Sequence, residues 1–372
     1  MNRKEPTKSL HETDADAQRF MRSCLQRVAT GPELSKDLSF DEARRAMTHI
    51  LDDAVDPVQA GVFLIALRMK RETEEENKGV LQAILDASET VVASVDELIN
   101  IGDPYDGFTR GLPMSPFLPA VLAACGVPAV SHGLEDVGPK YGVTHRKILK
   151  AAGIDVDLGL ADVATRIADP QAGWAYVDQR TFCPKLHALV DLRRLIVKRP
   201  VITTVETLVH PVRGRRRTHL MTGYVHKAYP RMYAMLARHA GFDSAVIVRG
   251  VEGGVIPSLQ QPSKAFYYYG EVPPQPLSIA PGDVDIDQQS RAIALPADAR
   301  EGDSDGLARA AAATGRAALA GAAGPAYDSL VYGCAICLFH LRRYPTVKAA
   351  ADVARQVLDS GAALAHFEAQ GS

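Results

Sequence analysis

The sequence predicts an α/β protein in which a small helical domain accompanies a larger domain built on strands. Three observations carry this. Residues Leu98 to Gly133 alternate strand, loop, helix and strand; Leu38 to Ser88 carry only helical spacing and helix caps; and 372 residues exceed the usual size of one domain. Leu98-Ile99-Asn100-Ile101 is an apolar run that breaks at Gly102-Asp103-Pro104-Tyr105-Asp106-Gly107, so a loop opens at a strand's carboxyl end, where α/β folds place ligands. Phe117 to Cys125 is apolar and alanine-rich and stops at Gly126, and Val127 to Ser131 reads as a second buried strand ending at His132-Gly133. Two strand ends therefore face one crevice, although a βαβ crossover without a ligand has the same pattern.

Before this unit, Met1 to about Asp16 is charged and without periodicity, and reads as a disordered tail. Ser39-Phe40-Asp41-Glu42 is a capping box, followed by Ala43, Ala46, Met47, Ile50 and Leu51 at helical spacing. Asp56-Pro57 starts a second helix by cap and first-turn proline, and Thr73-Glu74-Glu75-Glu76 is another capping box opening a third. In the last third, Phe266-Tyr267-Tyr268-Tyr269 reads as a strand whose aromatics pack in a sheet, with base stacking as the alternative. Residues 271–306 read as loops and short strands, Leu307–Ala323 and Ala326–Arg343 as helices, and Val347 to about Phe367 as a final helix.

No stretch approaches the roughly 20 apolar residues of a membrane span, and the amino terminus lacks a signal-peptide core, so a cytoplasmic protein with no membrane partner is expected. Five cysteines are an odd count in so long a chain, which argues against a disulfide framework. Cys334 and Cys337 are three apart inside an apolar helix, where packing is expected rather than metal or redox chemistry, and the eleven histidines show no metal-ligand spacing. No metal ligands are assigned.

Leu38 to Ser88, with its Asp41-Glu42-Ala43, Ala66-Leu67-Arg68-Met69-Lys70 and Glu72-Thr73-Glu74-Glu75 runs, resembles the amino-terminal helical domain of the anthranilate phosphoribosyltransferase family. Gly126-Val127 leading to His132-Gly133, then Ile148-Leu149-Lys150-Ala151-Ala152-Gly153, resembles that family's second strand, substrate turn and next helix, and Arg194 to Pro211 its arginine-bearing central helix. The resemblance covers about residues 20 to 368. It implies a small all-helical domain packed on a larger domain with a central, mostly parallel sheet flanked by helices, usually as a homodimer, joining a ribose 5-phosphate to an aromatic acceptor. On that plan residues 1–17 are the tail, 18–95 the helical domain completed by a helix over 185–210, and 96–184 with 211–372 the α/β domain. The crevice residues are then Gly102, Asp103, Asp106, Gly107, Ser115, His132, Gly133 and Arg194. At its aligned position the family's arginine holds the anthranilate carboxylate, and a guanidinium suits carboxylate or phosphate; otherwise Arg194 is a helix-surface cation.

The departures fall where the family does its chemistry. Family enzymes hold pyrophosphate on a Gly-Thr-Gly-Gly-Asp loop, whose glycines let backbone N–H groups approach phosphate oxygens. Here Asp103-Pro104-Tyr105-Asp106-Gly107 removes glycines, adds a residue without N–H, and brings two carboxylates to an anion's place. The family's Lys-His-Gly-Asn-Arg is Ser131-His132-Gly133-Leu134-Glu135, with both cations gone. Its magnesium-binding Asp-Glu pair is replaced by Val255-Ile256. No catalytic residue and no cofactor are therefore assigned. Magnesium enters only in the alternative reading, an active phosphoribosyl or glycosyl transferase with a rearranged site in which Glu252 works with Asp103 or Asp106.

A second branch of the family, which lacks phosphoribosyl transfer and binds nucleic acid, is similar to this chain at its proline-bearing loop, at Phe182-Cys183-Pro184 and at Arg249-Gly250-Val251-Glu252-Gly253. Charge points the same way. Lys185 to Arg249 holds 13 Lys and Arg against Asp191, Glu206 and Asp243, a balance of +10 in a chain whose total is −2. Single-stranded DNA or RNA is thus the expected partner, met without sequence preference by Lys185, Arg193, Lys198, Arg199, Arg213, Arg215, Arg216, Arg217 and Lys227. The alternative for each of these is a solvated cation paired with an acidic neighbour.

Overall fold

The computed structural model describes residues 10–31, 33–300 and 302–369. The chain divides into two units, Met1–Ala87 with Lys185–Glu206, and Ser88–Pro184 with Thr207–Ser372.

Four helices dominate the first unit: α1 (Leu10–Val28), α2 (Phe40–Leu51), α3 (Pro57–Lys70) and α4 (Glu74–Asp86). The Ser39 and Thr73 capping boxes both form, and the Asp56 carboxylate accepts the Val58 N–H at 2.8 Å. Gly79 of α4 meets α2 so closely that a Cβ there would lie 2.4 Å from the Phe40 carbonyl oxygen. Only glycine permits that approach. The expected tail through residue 17 is corrected in part, because α1 already starts at Leu10; residues 1–9 of that tail lie outside the described residues. Ala17, Met21, Cys24 and Val28 fall on one face and are buried, and that sparse stripe anchors a helix whose other faces are charged.

The single helix expected over 185–210 is also corrected. Short helices span Pro184–His187, Val190–Ile196 and Ile202–Val205. The second ends at Val197 with φ +62°, and Pro200 beyond it lacks the N–H that a continuing helix would need.

The second unit holds a mixed seven-stranded sheet and a two-stranded ribbon. The ribbon pairs β1 (Val91–Val92) with β5 (Val212–Arg213). The sheet comprises β2 (Glu97–Gly102), β3 (Ala129–Gly133), β4 (Trp174–Asp178), β6 (Arg217–Gly223), β7 (Ser244–Val248), β8 (Ser263–Tyr269) and β9 (Gln275–Ile279), in the order β4-β3-β2-β6-β7-β8-β9. The first five positions are parallel, while β8 and β9 pair antiparallel. The chain runs outward from β2 through β3 to β4, then returns to β6 on the other side of β2. This makes the carboxyl ends of β2 and β6 the topological switch point.

Two helices flank that point: α5 (Leu118–Ala124), entered through a 3₁₀ turn at Ser115–Phe117, and α6 (His145–Ala151), capped by Thr144. The Pro325–His340 helix is buried almost throughout, and its Cys334 Sγ lies 3.8 Å from Cys125 Sγ, with burial pushing the Cys334 thiol up. The final helix is two, Val347–Asp359 and Ala362–Glu368, because Gly361 takes φ +76° between them. Of the tyrosine run, Tyr268 is fully buried with its hydroxyl on the Phe242 carbonyl, while Tyr267 and Tyr269 are half-buried.

Candidate functional site

At the switch point the strand ends and two loops meet within the second unit. Thr222 at the end of β6 donates its hydroxyl to the Gly102 carbonyl at 2.8 Å. A Cβ on Gly223 would lie 2.0 Å from the Gly253 carbonyl oxygen, so the loop after β7 rests directly on this strand end. That loop turns back at Glu252, whose φ of +54° is left-handed.

Asp103 joins the two loops. It is 2% exposed; Oδ1 accepts the Val255 N–H at 2.8 Å, while Oδ2 meets His145 Nε2 at 2.8 Å and the Ser115 hydroxyl. Ser115 Oγ and His145 Nε2 are themselves 3.2 Å apart. Both oxygens of Asp103 are thus engaged by protein donors, and Ser115 faces a carboxylate. Such an arrangement orders the loops; a serine nucleophile would instead need a base freed for its proton.

Lys140 is the cation of the crevice. Its ammonium donates to the Gly107 carbonyl at 3.0 Å and lies 3.8 Å from Asp106 Oδ1 and 3.6 Å from Glu252 Oε2. Glu252 also accepts the Arg110 N–H at 2.7 Å and the Thr109 N–H at 3.1 Å. Ser131 and Glu135 still leave the motif's two cation positions without a cation, but Lys140 brings one to the crevice. Lys140 comes from a different loop, Gly138-Pro139-Lys140-Tyr141-Gly142, whose turn residues just before α6 were the signal available in the sequence. Magnesium does not fit these side chains as they stand. Asp103 is occupied by three donors, an ammonium lies between Asp106 and Glu252, and hard cations need carboxylate oxygens turned toward them. Among the described residues, no group of three or more His, Cys, Asp or Glu is placed to hold a metal ion.

On the neighbouring strand, His132 is buried and its Nδ1 lies 2.5 Å from the Tyr105 hydroxyl. Burial, with His145 and His210 adding to it, pulls the imidazole down to about 3, so the ring is neutral at pH 7. The tautomer decides which of the phenol and Nδ1 donates in that bond, and Nε2 has no partner among the described residues. Gly133 leaves room beside it, since the nearest neighbour of an added Cβ would be the Tyr176 hydroxyl at 3.6 Å. Further along, the Arg146 guanidinium is buried on Asp178 and Asp157 at 3.1 and 2.7 Å. Sequence reasoning missed Tyr105, Lys140, His145 and Arg146 as site residues. They are assembled by loops and by α6, so no local spacing announces them.

The basic residues are divided between the two units and differ in exposure. Arg193 is corrected from a nucleic-acid contact to a buried ion pair, with both terminal nitrogens 2.7 Å from the Glu206 carboxylate. Arg194, on the same helix, is exposed and lies 3.3 Å from Asp191. Lys185 pairs with Asp52 at 2.6 Å, and Lys198 and Arg199 are exposed. In the second unit, Arg213 reaches the Gly241 carbonyl, and Arg215, Arg216 and Arg217 are exposed at the amino end of β6, the last two beside Asp96 and Glu97. Lys227 comes four residues after the opposite end of that strand, whose six residue steps from Arg217 to Gly223 span about 20 Å.

A family model described as the glycosyl transferase family helical bundle domain matches residues 22–88. An uncharacterized protein of Aquifex aeolicus is 29% identical over 228 residues, which span 61% of this chain and 67% of that one. The anthranilate phosphoribosyltransferase of Rhodopseudomonas palustris is 27% identical over 348 residues, 93% of this chain and 96% of that one. The crystal structure of the anthranilate phosphoribosyltransferase from Thermus thermophilus superposes with a TM-score of 0.73 at 20% identity, covering 95% of this chain and 98% of that one. With its helical bundle and its mixed, mostly parallel sheet, the chain has the glycosyltransferase family 3 fold, and over most of its length it is similar to anthranilate phosphoribosyltransferases.

Proposed function

We propose that this protein has lost magnesium-assisted phosphoribosyl transfer and binds single-stranded nucleic acid through its backbone phosphates, without sequence preference, as a homodimer. The observation that carries the reading is the engagement of the crevice carboxylates. Asp103 binds Ser115, His145 and the Val255 N–H, and Glu252 binds Lys140 and the 109–110 backbone, so the groups that would otherwise meet a metal and a diphosphate hold the loops together. Charge supports the second half: Arg215, Arg216 and Arg217 stand exposed on one loop, and phosphate contacts of this kind carry no base information. For the dimer, Val58 and Met69 of α3 are each 73% exposed, apolar surface that a partner helix would cover.

Lys140 and the unpartnered His132 Nε2 favour a second reading, a rearranged transferase that takes an anionic or aromatic ligand in the crevice. Calorimetry separates the two. Phosphoribosyl pyrophosphate with magnesium is expected to bind no tighter than about 1 mM, roughly −4 kcal/mol, while a mixed-sequence single strand binds at low salt. Micromolar binding of phosphoribosyl pyrophosphate, with no binding of the strand, overturns the first reading in favour of the second.

A further inference from the structure

At the amino end of the sheet, opposite the crevice, lies a cavity of about 430 Å³ that the phosphoribosyl chemistry does not use. Tyr267, Tyr269, His340, Arg342, Arg343 and Tyr344 line it. His340 is 2% exposed, and its Nε2 is fixed by the Ser244 hydroxyl at 2.9 Å, which in turn meets His219 Nδ1 at 2.8 Å. Its Nδ1 is buried with no partner among the described residues. Burial pulls the ring down to about 3, so it is neutral and Nδ1 offers one hydrogen-bond donor or acceptor, depending on the tautomer. The ring of Tyr269 is stacked on this imidazole, with centroids 5.0 Å apart and planes 11° apart, and the Arg342 guanidinium carbon lies 3.9 Å from its centroid.

This cavity is continuous with the exposed arginine loop. Arg343 binds Glu97 at 2.9 Å, and the other oxygen of Glu97 meets Arg217 at 3.2 Å. Five arginines (Arg215, Arg216, Arg217, Arg342 and Arg343) thus run along this rim against Asp96 and Glu97, a balance of +3. Aromatic walls and an adjoining cationic rim are together what a nucleotide needs. Tyr269 is already packed against His340 and Arg342, so the rings of Tyr267 and Tyr344 are the ones that accept a base face, and the guanidinium groups meet phosphate.

We propose that this cavity takes one base of a bound single strand, stacked on Tyr267 and Tyr344, with the neighbouring phosphates on Arg342, Arg343 and the 215–217 loop. The proposal rests on the nucleic-acid reading and adds a base-dependent component to it. It is sequence-tolerant, because every base has a ring face.

The test compares a mixed-sequence oligonucleotide with an abasic strand of the same length and with a nucleoside monophosphate, on wild type, Tyr267→Ala and Tyr344→Ala, by fluorescence anisotropy and competition. Wild type is expected to bind the base-bearing strand about tenfold more tightly than the abasic one, within what one stacked base supplies. Each substitution should remove most of that ratio while leaving abasic binding and its salt dependence unchanged, which also shows that the variant is folded. A monophosphate that competes at millimolar concentration against wild type, and not against the variants, points to the same cavity. Equal binding of both strands by wild type, or a ratio untouched in both variants, overturns the base pocket and leaves the phosphate reading standing. Binding of neither strand overturns both. If the monophosphate binds with the expected variant sensitivity while neither strand does, the cavity is a free-nucleotide site and the strand proposal fails.

Discussion

The Glu252 carboxylate accepts the Arg110 backbone N–H at 2.7 Å, tying the loop after β7 to the loop after β2 across the switch point. Asp103 makes the reciprocal link through the Val255 N–H. Carboxylates that bind hydrogen-bond donors of another loop in this way contribute to folding. Removing Asp103 leaves the buried Val255 N–H without its acceptor, and removing Glu252 takes a charged acceptor from the Thr109 and Arg110 N–H groups and the nearest carboxylate from Lys140, which keeps the Gly107 carbonyl. Glu252→Ala is therefore expected to lower the unfolding free energy by about 1–3 kcal/mol, and Glu252→Gln by less because one acceptor oxygen remains. Urea denaturation of the three proteins checks this; a Glu252→Ala protein as stable as wild type contradicts it.

Acid should destabilise the second unit through its buried histidines. His132 and His340 each have folded values of about 3, against roughly 6.5 for an unfolded histidine. Between those values the unfolded chain binds more protons. Each residue's contribution is accordingly complete above about pH 6.5 and is lost as pH falls toward 3, by up to about 1.4 kcal/mol per pH unit. Chemical denaturation at pH 7.5, 6 and 5 should show stability falling, and His340→Asn should show a shallower fall. A pH-independent midpoint over this range would count against buried, neutral rings.

Dimerisation is expected to depend on the exposed apolar residues of α3. Light scattering at micromolar concentration should give twice the monomer mass for wild type and the monomer mass for a Val58→Asp/Met69→Asp protein, with unchanged far-ultraviolet dichroism. Both sites are exposed, so the substitutions cost little within the chain. A wild-type monomer, or a dimer that survives both changes, excludes this face.

The elements that carry their own chemistry were legible in the sequence. The Ser39 and Thr73 capping boxes, the Asp56-Pro57 start, and strands β2 and β3 all stand where local pattern puts them, because caps and apolar runs act within a few residues. The 185–210 segment misled because helical composition hides a break at Val197 and Pro200. Gly102, Asp103, His132 and Gly133 stand where the sequence places them, at or just past the carboxyl ends of β2 and β3. The site was not legible at Lys140 and His145, which reach Asp106 and Asp103 from more than 30 residues away along the chain. Arg193 illustrates the limit of counting charge, since a +10 stretch says nothing about which cation is turned inward onto Glu206.

Phosphate binding by the exposed arginines is read most directly by a salt titration. Wild type on a mixed-sequence single strand should lose affinity with a log–log slope of roughly −3 to −4, as expected for about four to six phosphates at −0.7 each. Changing Arg215, Arg216 and Arg217 together to alanine should flatten that slope by up to about 2 and weaken all sequences alike. The melting temperature should barely move, because the pairs with Asp96 and Glu97 lie on the surface. Undetectable wild-type binding at low salt, or a triple mutant with the same affinity and slope, would contradict the account.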